Sequence, residues 1–154
     1  MDRHLDALEA FRTEGAKREE AVAPYLSTPE TGSYSVDLTV EIISHGKSTV
    51  TCHSNLGKSL YWNFRQMLAH QTLSGCSLET GDILASGTVS GESEDARGCL
   101  LESTWNGKTP LVLQDGTSRT YLEDGDTVRL TGLAGEGVGF GDCIGVIKPT
   151  RPWG

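Results

Sequence analysis

Long apolar segments are absent from this sequence of 154 residues. A membrane-spanning helix needs a run of about 18 or more apolar residues, and no stretch approaches that length. Residues 1–20 carry charges of both signs and lack the apolar core of a secretory signal or the composition of a transit peptide. The sequence therefore predicts no contact with a membrane, and we expect a single cytoplasmic domain.

Positive charge is also scarce. Thirteen Lys and Arg residues stand against 21 Asp and Glu residues, which gives a formal net charge of −8. An anionic surface repels the phosphate backbone, and the few basic residues form no cluster along the sequence. We therefore expect no nucleic-acid partner.

Paired cysteines and metal-ligand spacings are missing as well. The four cysteines, Cys52, Cys76, Cys99 and Cys143, form no C-x-x-C pair, and the four histidines show no metal-ligand spacing with one another. A chain of this size does not need disulfide bonds for stability. We interpret the cysteines as free thiols in a reducing compartment, and spacing alone predicts no metal site.

Common catalytic and nucleotide-binding motifs are incomplete. The stretch Gly57-Lys58-Ser59 has Cys52 where a phosphate-binding loop needs another glycine. The alternating glycines of residues 135–141 lead into a predicted strand and not into the helix that would hold a phosphate. No G-x-S-x-G stretch is present, so a serine hydrolase of the nucleophile-elbow type is not indicated. We expect turns or tight bends at both glycine motifs.

Short strands dominate the pattern that is present. Apolar and polar residues alternate from Ser35 to Ile42, and a turn at residues 45–47 leads to a hairpin partner at residues 48–52. A helix is predicted from Ser54 or Asn55 to about Gln71. Further strands are predicted at residues 83–89, 99–105, 110–113, 118–122, 127–133 and 143–147, with turns at Asp115-Gly116 and Asp124-Gly125 between them. The fold class is therefore mainly β (α+β), a mixed β-sandwich roll of short strands with one principal helix.

Two polar residues stand out as candidate site residues. Thr88 lies between Gly87 and Gly91 at the end of an apolar segment, where backbone and hydroxyl groups can approach a bound oxyanion. Glu102 lies in the mostly apolar run of residues 99–105, where a carboxylate must be paired or exposed. An outward-facing strand glutamate is the alternative for Glu102. The acidic residues 92–95 are either a solvated loop or oxygen ligands for Mg²⁺ or Ca²⁺.

The segment that contains Thr88 carries a family resemblance. Residues 81–91, GDILASGTVSG, resemble the signature of the fumarylacetoacetate hydrolase family. Further matching stretches follow one another in order, and they narrow the resemblance to members that act in the last step of tyrosine and phenylalanine breakdown: residues 5–11, 24–26, 54–56, 61–62, 66–72, 74–76, 101–105, 124–126 and 139–143. The resemblance covers nearly the whole chain, from Leu5 to about Pro149.

The resemblance implies an enzyme that hydrolyses the carbon–carbon bond of 4-fumarylacetoacetate, a small diketo acid, to fumarate and acetoacetate. It implies that Mg²⁺ or Ca²⁺ stabilises the enolate, that a histidine activates water, that Glu102 orients this histidine, and that Thr88 contacts the substrate. A homodimer is implied for the complete enzyme.

The same resemblance makes residues 1–154 the C-terminal part of a catalytic domain. The histidine and the metal-binding carboxylates are expected upstream of this chain, as are an N-terminal domain and the first part of the catalytic domain. The isolated chain is therefore expected to be inactive. Two alternatives stay open: a non-catalytic β-rich module that pairs with a separate chain, and a related hydrolase or decarboxylase that acts on another oxo acid.

Overall fold

The computed structural model describes residues 3–16, 21–27 and 32–151. It contains eight strands, β1 to β8, and four short helices, α1 to α4, in a mainly-β α+β arrangement, as expected. The strands are β1 (Arg12–Thr13), β2 (Ser33–Tyr34), β3 (Asp37–Ser44), β4 (Lys47–Asn55), β5 (Leu111–Val112), β6 (Ser118–Arg119), β7 (Thr127–Ala134) and β8 (Val138–Val146). The helices are α1 (Arg3–Glu9), α2 (Leu56–Ser59), α3 (Phe64–Leu73) and α4 (Leu100–Ser103), with 3-10 turns at Pro24–Leu26 and Glu94–Ala96.

A four-stranded antiparallel sheet forms the centre of the described part, in the order β4-β3-β7-β8. The alternating pattern correctly predicted β3, and the predicted turn and hairpin partner are also confirmed. His45 and Gly46 both have positive φ, 47° and 74°, as the tight turn between two antiparallel strands requires. A bulge at Val40/Glu41 interrupts the pairing of β3 with β4.

Two pairs of short strands accompany this sheet. Strand β1 pairs with β2, and β5 pairs with β6, both antiparallel. The predicted turn at Asp115-Gly116 connects β5 to β6, where Gly116 has a φ of 88°. The tight bend predicted in the glycine-rich stretch connects β7 to β8.

The single long helix predicted from residue 54 or 55 to residue 71 is wrong, because the structure divides it into α2 and α3. Asn55 caps α2 by accepting a hydrogen bond from the Lys58 backbone, but Leu60 is already extended. Asn63 then begins α3 with a capping box, in which its side chain and that of Gln66 each accept a backbone hydrogen bond. Two capping asparagines in one stretch therefore favour two helix starts.

Two predicted strands are also wrong. Residues 83–89 have no regular structure, and the Ile83 side chain is 92% exposed. Residues 99–105 contain α4, so Glu102 lies on a short helix and not on a strand. The Asp124-Gly125 turn is present, but β6 and β7 on either side of it do not pair. Short apolar runs do not distinguish strand from helix, because both can cover an apolar surface.

Apolar side chains divide unevenly between the interior and the surface. Among the residues that the structure describes, seven apolar ones are buried: Leu26, Val36, Ile42, Cys52, Ala96, Leu113 and Ala134. On the edge strand β8, by contrast, Phe140 and Ile144 are 61% and 60% exposed. This strand therefore presents an apolar surface together with a row of backbone groups that no other described strand pairs. Among the described residues, no helix has the length and apolar character needed to cross a bilayer.

Candidate functional site

The segment that carries Thr88 lies over the central sheet. Gly81 and Gly87 adopt positive φ values of 105° and 75°, so the backbone turns on both sides of this apolar stretch. Thr88 itself is exposed, and it lines a cavity of about 250 Å³ together with residues of β3, β4 and β7, among them Thr39, Cys52 and Leu130. Thr88 thus lies beside a cavity and close to glycines, and its role as a substrate contact stays a prediction.

Glycines allow this segment to press closely against residues 96–98. A Cβ atom at Gly98 would lie 2.6 Å from Thr88 Cγ2 and 2.6 Å from the Val89 carbonyl oxygen. A Cβ atom at Gly91 would lie 2.9 Å from Ala96 Cβ, and the Gly91 N–H donates to the Ala96 carbonyl at 2.8 Å. Only glycine fits at these positions without a shift of the chain, because real Cβ atoms essentially never come within 3.0 Å of such neighbours.

Glu102 is connected to the same segment through Ser90. The Ser90 hydroxyl donates to Glu102 Oε2 at 2.5 Å and accepts from the Gly98 N–H at 3.0 Å. Thr88, Ser90, Gly98 and Glu102 therefore form one continuous set of contacts, which we call the Glu102 cluster. No described histidine forms a hydrogen bond with Glu102.

Helix α4 is fixed at its end by a buried threonine. Thr104 is fully buried, and its hydroxyl donates to the Leu100 carbonyl at 2.6 Å while accepting from the Gly107 N–H at 3.0 Å. The Arg97 guanidinium lies 5.0 Å from the centre of the Trp105 ring. These contacts hold both ends of the short helix that carries Glu102.

A second groove, which is polar and has a volume of about 830 Å³, shares Ser90 with the Glu102 cluster. Its lining includes Ser90, Glu92, His53, Lys58 and Tyr61, so charges of both signs face it. His53 lies on β4, and its ring nitrogen Nδ1 is 3.5 Å from the Thr39 hydroxyl. The histidine and lysine in this groove do not touch Glu102, and we assign them no role.

Residues 92–95, the acidic stretch, are exposed to solvent. Glu94 makes a long ion pair with Arg97, at 3.5 Å, and its side chain is 88% exposed. Within the described ranges, no group of three or more His, Cys, Asp or Glu side chains could hold a metal ion. The described residues do not fit a Mg²⁺ or Ca²⁺ site.

Sequence reasoning missed a buried ionic group beside the turn of the β3–β4 hairpin. Arg119 donates to both Asp126 carboxylate oxygens at 2.8 and 3.0 Å, to Ser44 Oγ at 3.1 Å and to Thr117 Oγ1 at 3.1 Å. We call these four residues the Arg119 cluster. The Arg119 hydrogen bonds hold the pKa of Asp126 below its ordinary value. An arginine followed by several acidic residues was the available signal, but spacing alone did not show that the pair is buried.

A neighbouring carboxylate strengthens this region. Thr117 donates to Asp115 Oδ1 through its hydroxyl at 2.6 Å and its N–H at 2.8 Å, and His45 Nδ1 lies 2.9 Å from Asp115 Oδ2. The Thr117 hydrogen bonds, followed by the contact with His45, hold the pKa of Asp115 well below its ordinary range. Elsewhere, burial raises the pKa of the Cys52 thiol, so this cysteine is a packed thiol and not a reactive one.

Comparison with known proteins identifies relatives over almost the whole chain. Residues 1–148 match the family described as fumarylacetoacetate (FAA) hydrolase C-terminal. A fumarylacetoacetase of Aspergillus fumigatus is 52% identical over 152 residues, which are 94% of this chain and 35% of that protein. The fumarylacetoacetases of Arabidopsis thaliana and Homo sapiens are 46% and 39% identical, over 96% and 94% of this chain and 36% of each relative. The chain thus spans about 35% of the length of these relatives.

Proposed function

This chain belongs to the fumarylacetoacetate hydrolase family, and we propose that residues 1–154 supply the C-terminal part of a catalytic domain that hydrolyses 4-fumarylacetoacetate. In this reaction the hydroxyl group of water is added to the carbonyl carbon of the fumaryl group, which becomes a carboxylate carbon of fumarate. The bond to the neighbouring carbon breaks, and that carbon takes a proton to give acetoacetate. The leaving carbanion is an enolate, so the reaction needs a positioned base for water and polar groups that hold the substrate.

The contact between the Thr88 segment and Glu102 is the observation that supports this proposal. Thr88 faces a concave surface, and Glu102 is joined to the same segment through Ser90 and Gly98. In the proposed site Thr88 contacts the substrate, and Glu102 accepts a hydrogen bond from a histidine that lies outside this chain. A carboxylate in that position keeps the imidazole in the orientation and tautomer needed to take a proton from water.

The family is in general metal-dependent. Because the described residues do not fit a Mg²⁺ or Ca²⁺ site, we derive no step of the reaction through the metal. In this proposal the ligands of that cation, the N-terminal domain and the first part of the catalytic domain come from polypeptide outside this sequence. The isolated chain is accordingly inactive, the complete enzyme is a homodimer, and the four free cysteines support a cytoplasmic location.

A chimera tests this function directly. Residues 1–148 replace the matching C-terminal segment of the Aspergillus fumigatus relative, and kcat and KM are measured with fumarylacetoacetate and Mg²⁺. We expect turnover close to that of the parent relative, and a loss of about 10²- to 10⁴-fold in kcat for Glu102→Ala. A folded chimera without turnover would contradict the proposal, and so would ordinary turnover by the isolated chain. Assays with other small oxo acids distinguish the alternative of a different substrate.

The apolar β8 edge supports a second candidate, a non-catalytic module that pairs with a separate chain. Phe140 and Ile144 are exposed on this edge strand, and large exposed apolar patches mark interaction surfaces. Native mass spectrometry of the chain, alone and with the upstream part of the relative added as a separate polypeptide, measures such pairing. A complex without turnover would favour this candidate over the enzyme.

A further inference from the structure

The Ser90 hydroxyl makes hydrogen bonds both with the Gly98 backbone, against which Thr88 packs, and with the carboxylate of Glu102. We propose that Ser90 is a positioning residue, which fixes Glu102 in a single orientation relative to Thr88. This inference rests on the proposed function, because it concerns the group that orients the catalytic histidine.

The direction of both hydrogen bonds follows from the groups involved. The Gly98 N–H can only donate, so it occupies a lone pair of Ser90 Oγ at 3.0 Å. The single hydroxyl proton of Ser90 is thereby free to point at Glu102 Oε2, 2.5 Å away. A short bond from a hydroxyl to a carboxylate is among the stronger hydrogen bonds in proteins. The Gly98 backbone therefore sets the direction of the proton that holds Glu102.

The two carboxylate oxygens of Glu102 have different surroundings. Oε2 accepts from Ser90, whereas no described residue donates a hydrogen bond to Oε1. Glu102 is exposed on a helix of four residues, so without Ser90 its long side chain would sample several rotamers. With Oε2 held, Oε1 presents an acceptor in a fixed direction, as the orientation of an imidazole N–H requires.

Close packing around Gly98 connects Ser90 to Thr88, the proposed substrate contact. Thr88 Cγ2 lies against Gly98, whose N–H is the donor to Ser90. Loss of the Ser90 hydroxyl removes its hydrogen bond to Glu102, whereas the packing of Thr88 against Gly98 does not involve that hydroxyl. We expect loss of the hydroxyl to lower the rate of the chemical step and to leave substrate binding nearly unchanged.

The active chimera described above provides the test. Ser90→Ala is expected to lower kcat by about 10- to 100-fold with KM changed less than about twofold, as when a partner that orients a catalytic group is lost, and Ser90→Thr is expected to restore kcat. Ser103→Ala is the matched control, because Ser103 lies on the same helix and donates only to backbone carbonyls. It should leave both constants near those of the parent.

A double-variant comparison separates positioning from a structural effect. If Ser90 acts through Glu102, Ser90→Ala should cause little further loss in a chimera that already carries Glu102→Ala. A kcat for Ser90→Ala equal to that of the parent would overturn the inference, and so would losses that add in full.

The inference can also be tested if the folded chimera has no turnover, a result that would contradict the proposed function alone. Crystal structures of the chimera with and without Ser90→Ala then report the Glu102 side chain. One orientation in the parent and several in the variant would support the role of Ser90. The same single orientation in both would overturn it.

Discussion

The Arg119 cluster and the Glu102 cluster use similar chemistry for different ends. In the Arg119 cluster the charged groups are buried, and both oxygens of Asp126 are bonded to Arg119. In the Glu102 cluster the carboxylate is exposed, and only one of its oxygens is bonded within the described chain. A buried ionic group must be satisfied internally, because an unpaired charge in the interior is costly. An exposed carboxylate can keep one oxygen open for another molecule or chain.

The largest effect on stability is expected for Asp126→Ala. Loss of this carboxylate leaves the Arg119 guanidinium buried without its main partner, which costs about 3–5 kcal/mol in the free energy of unfolding. Glu123→Ala is the control, because Glu123 contacts the same arginine at 3.4 Å but its side chain is 62% exposed. We expect at most about 1 kcal/mol for that exposed pair. Guanidinium chloride titrations measure both values, and equal losses would contradict the distinction between a buried and an exposed partner.

A smaller effect on stability is expected for Gly98→Ala in the Glu102 cluster. The added methyl group would overlap Thr88 and the Val89 backbone, and overpacking of this kind costs about 1–3 kcal/mol. Gly137→Ala is the control, since a Cβ there meets nothing within 4 Å and φ is not positive. If the two alanine variants unfold at the same denaturant concentration, the close contact at Gly98 does not constrain the chain.

Mild acid should lower the free energy of unfolding, through the Arg119 region, by less than Asp126→Ala or Gly98→Ala does. The pKa values of Asp126 and Asp115 lie below their ordinary value of 3.8 in the folded chain. The unfolded chain therefore binds protons first as the pH falls, and the stabilisation present above about pH 4 is progressively lost below it. At pH 3 the loss is partial, because the folded state still keeps these carboxylates charged.

Unfolding titrations at pH 7 and pH 3 measure this dependence. The Asp126→Asn variant should lose less stability between the two pH values than the parent chain, since one of the two linked carboxylates is gone. A parent chain that is equally stable at both values would contradict the expected sign.

The smallest effect is expected on the apolar edge strand. Ile144 is 60% exposed, so Ile144→Ser should change the unfolding free energy of the isolated chain by less than about 0.5 kcal/mol. If the upstream polypeptide of the chimera covers this edge, the same change should lower the Tm of the chimera by several degrees. An equal response in chain and chimera would show that β8 stays uncovered.

Local pattern was enough to predict much of the central sheet. The alternation over residues 35–42 predicted β3, and the turn residues His45 and Gly46 predicted its hairpin with β4. These features depend on neighbours in the chain, because alternation sets the buried face and turn residues set the positive φ values. The same reasoning failed for residues 99–105, since a short apolar run fits either a strand or a helix turn.

The sequence predicted two residues of the candidate site but not the contacts that connect them. The sequence context of Thr88 and Glu102 predicts both as site residues, and their roles stay predictions. The sequence does not predict Ser90 and Gly98, which connect them, because a serine and a glycine in a polar loop are ordinary residues until the loop is folded back on α4.

The sequence by itself determined the class of fold, the main hairpin and the family to which the chain belongs. These depend on residue order, which is preserved whether or not the chain is folded. Only the tertiary structure decided that Asp126 is buried against Arg119, and that the Ser90 hydroxyl stands between Gly98 and Glu102. Burial and the direction of a hydrogen bond come from segments brought together by packing, and no local pattern records which segments will meet.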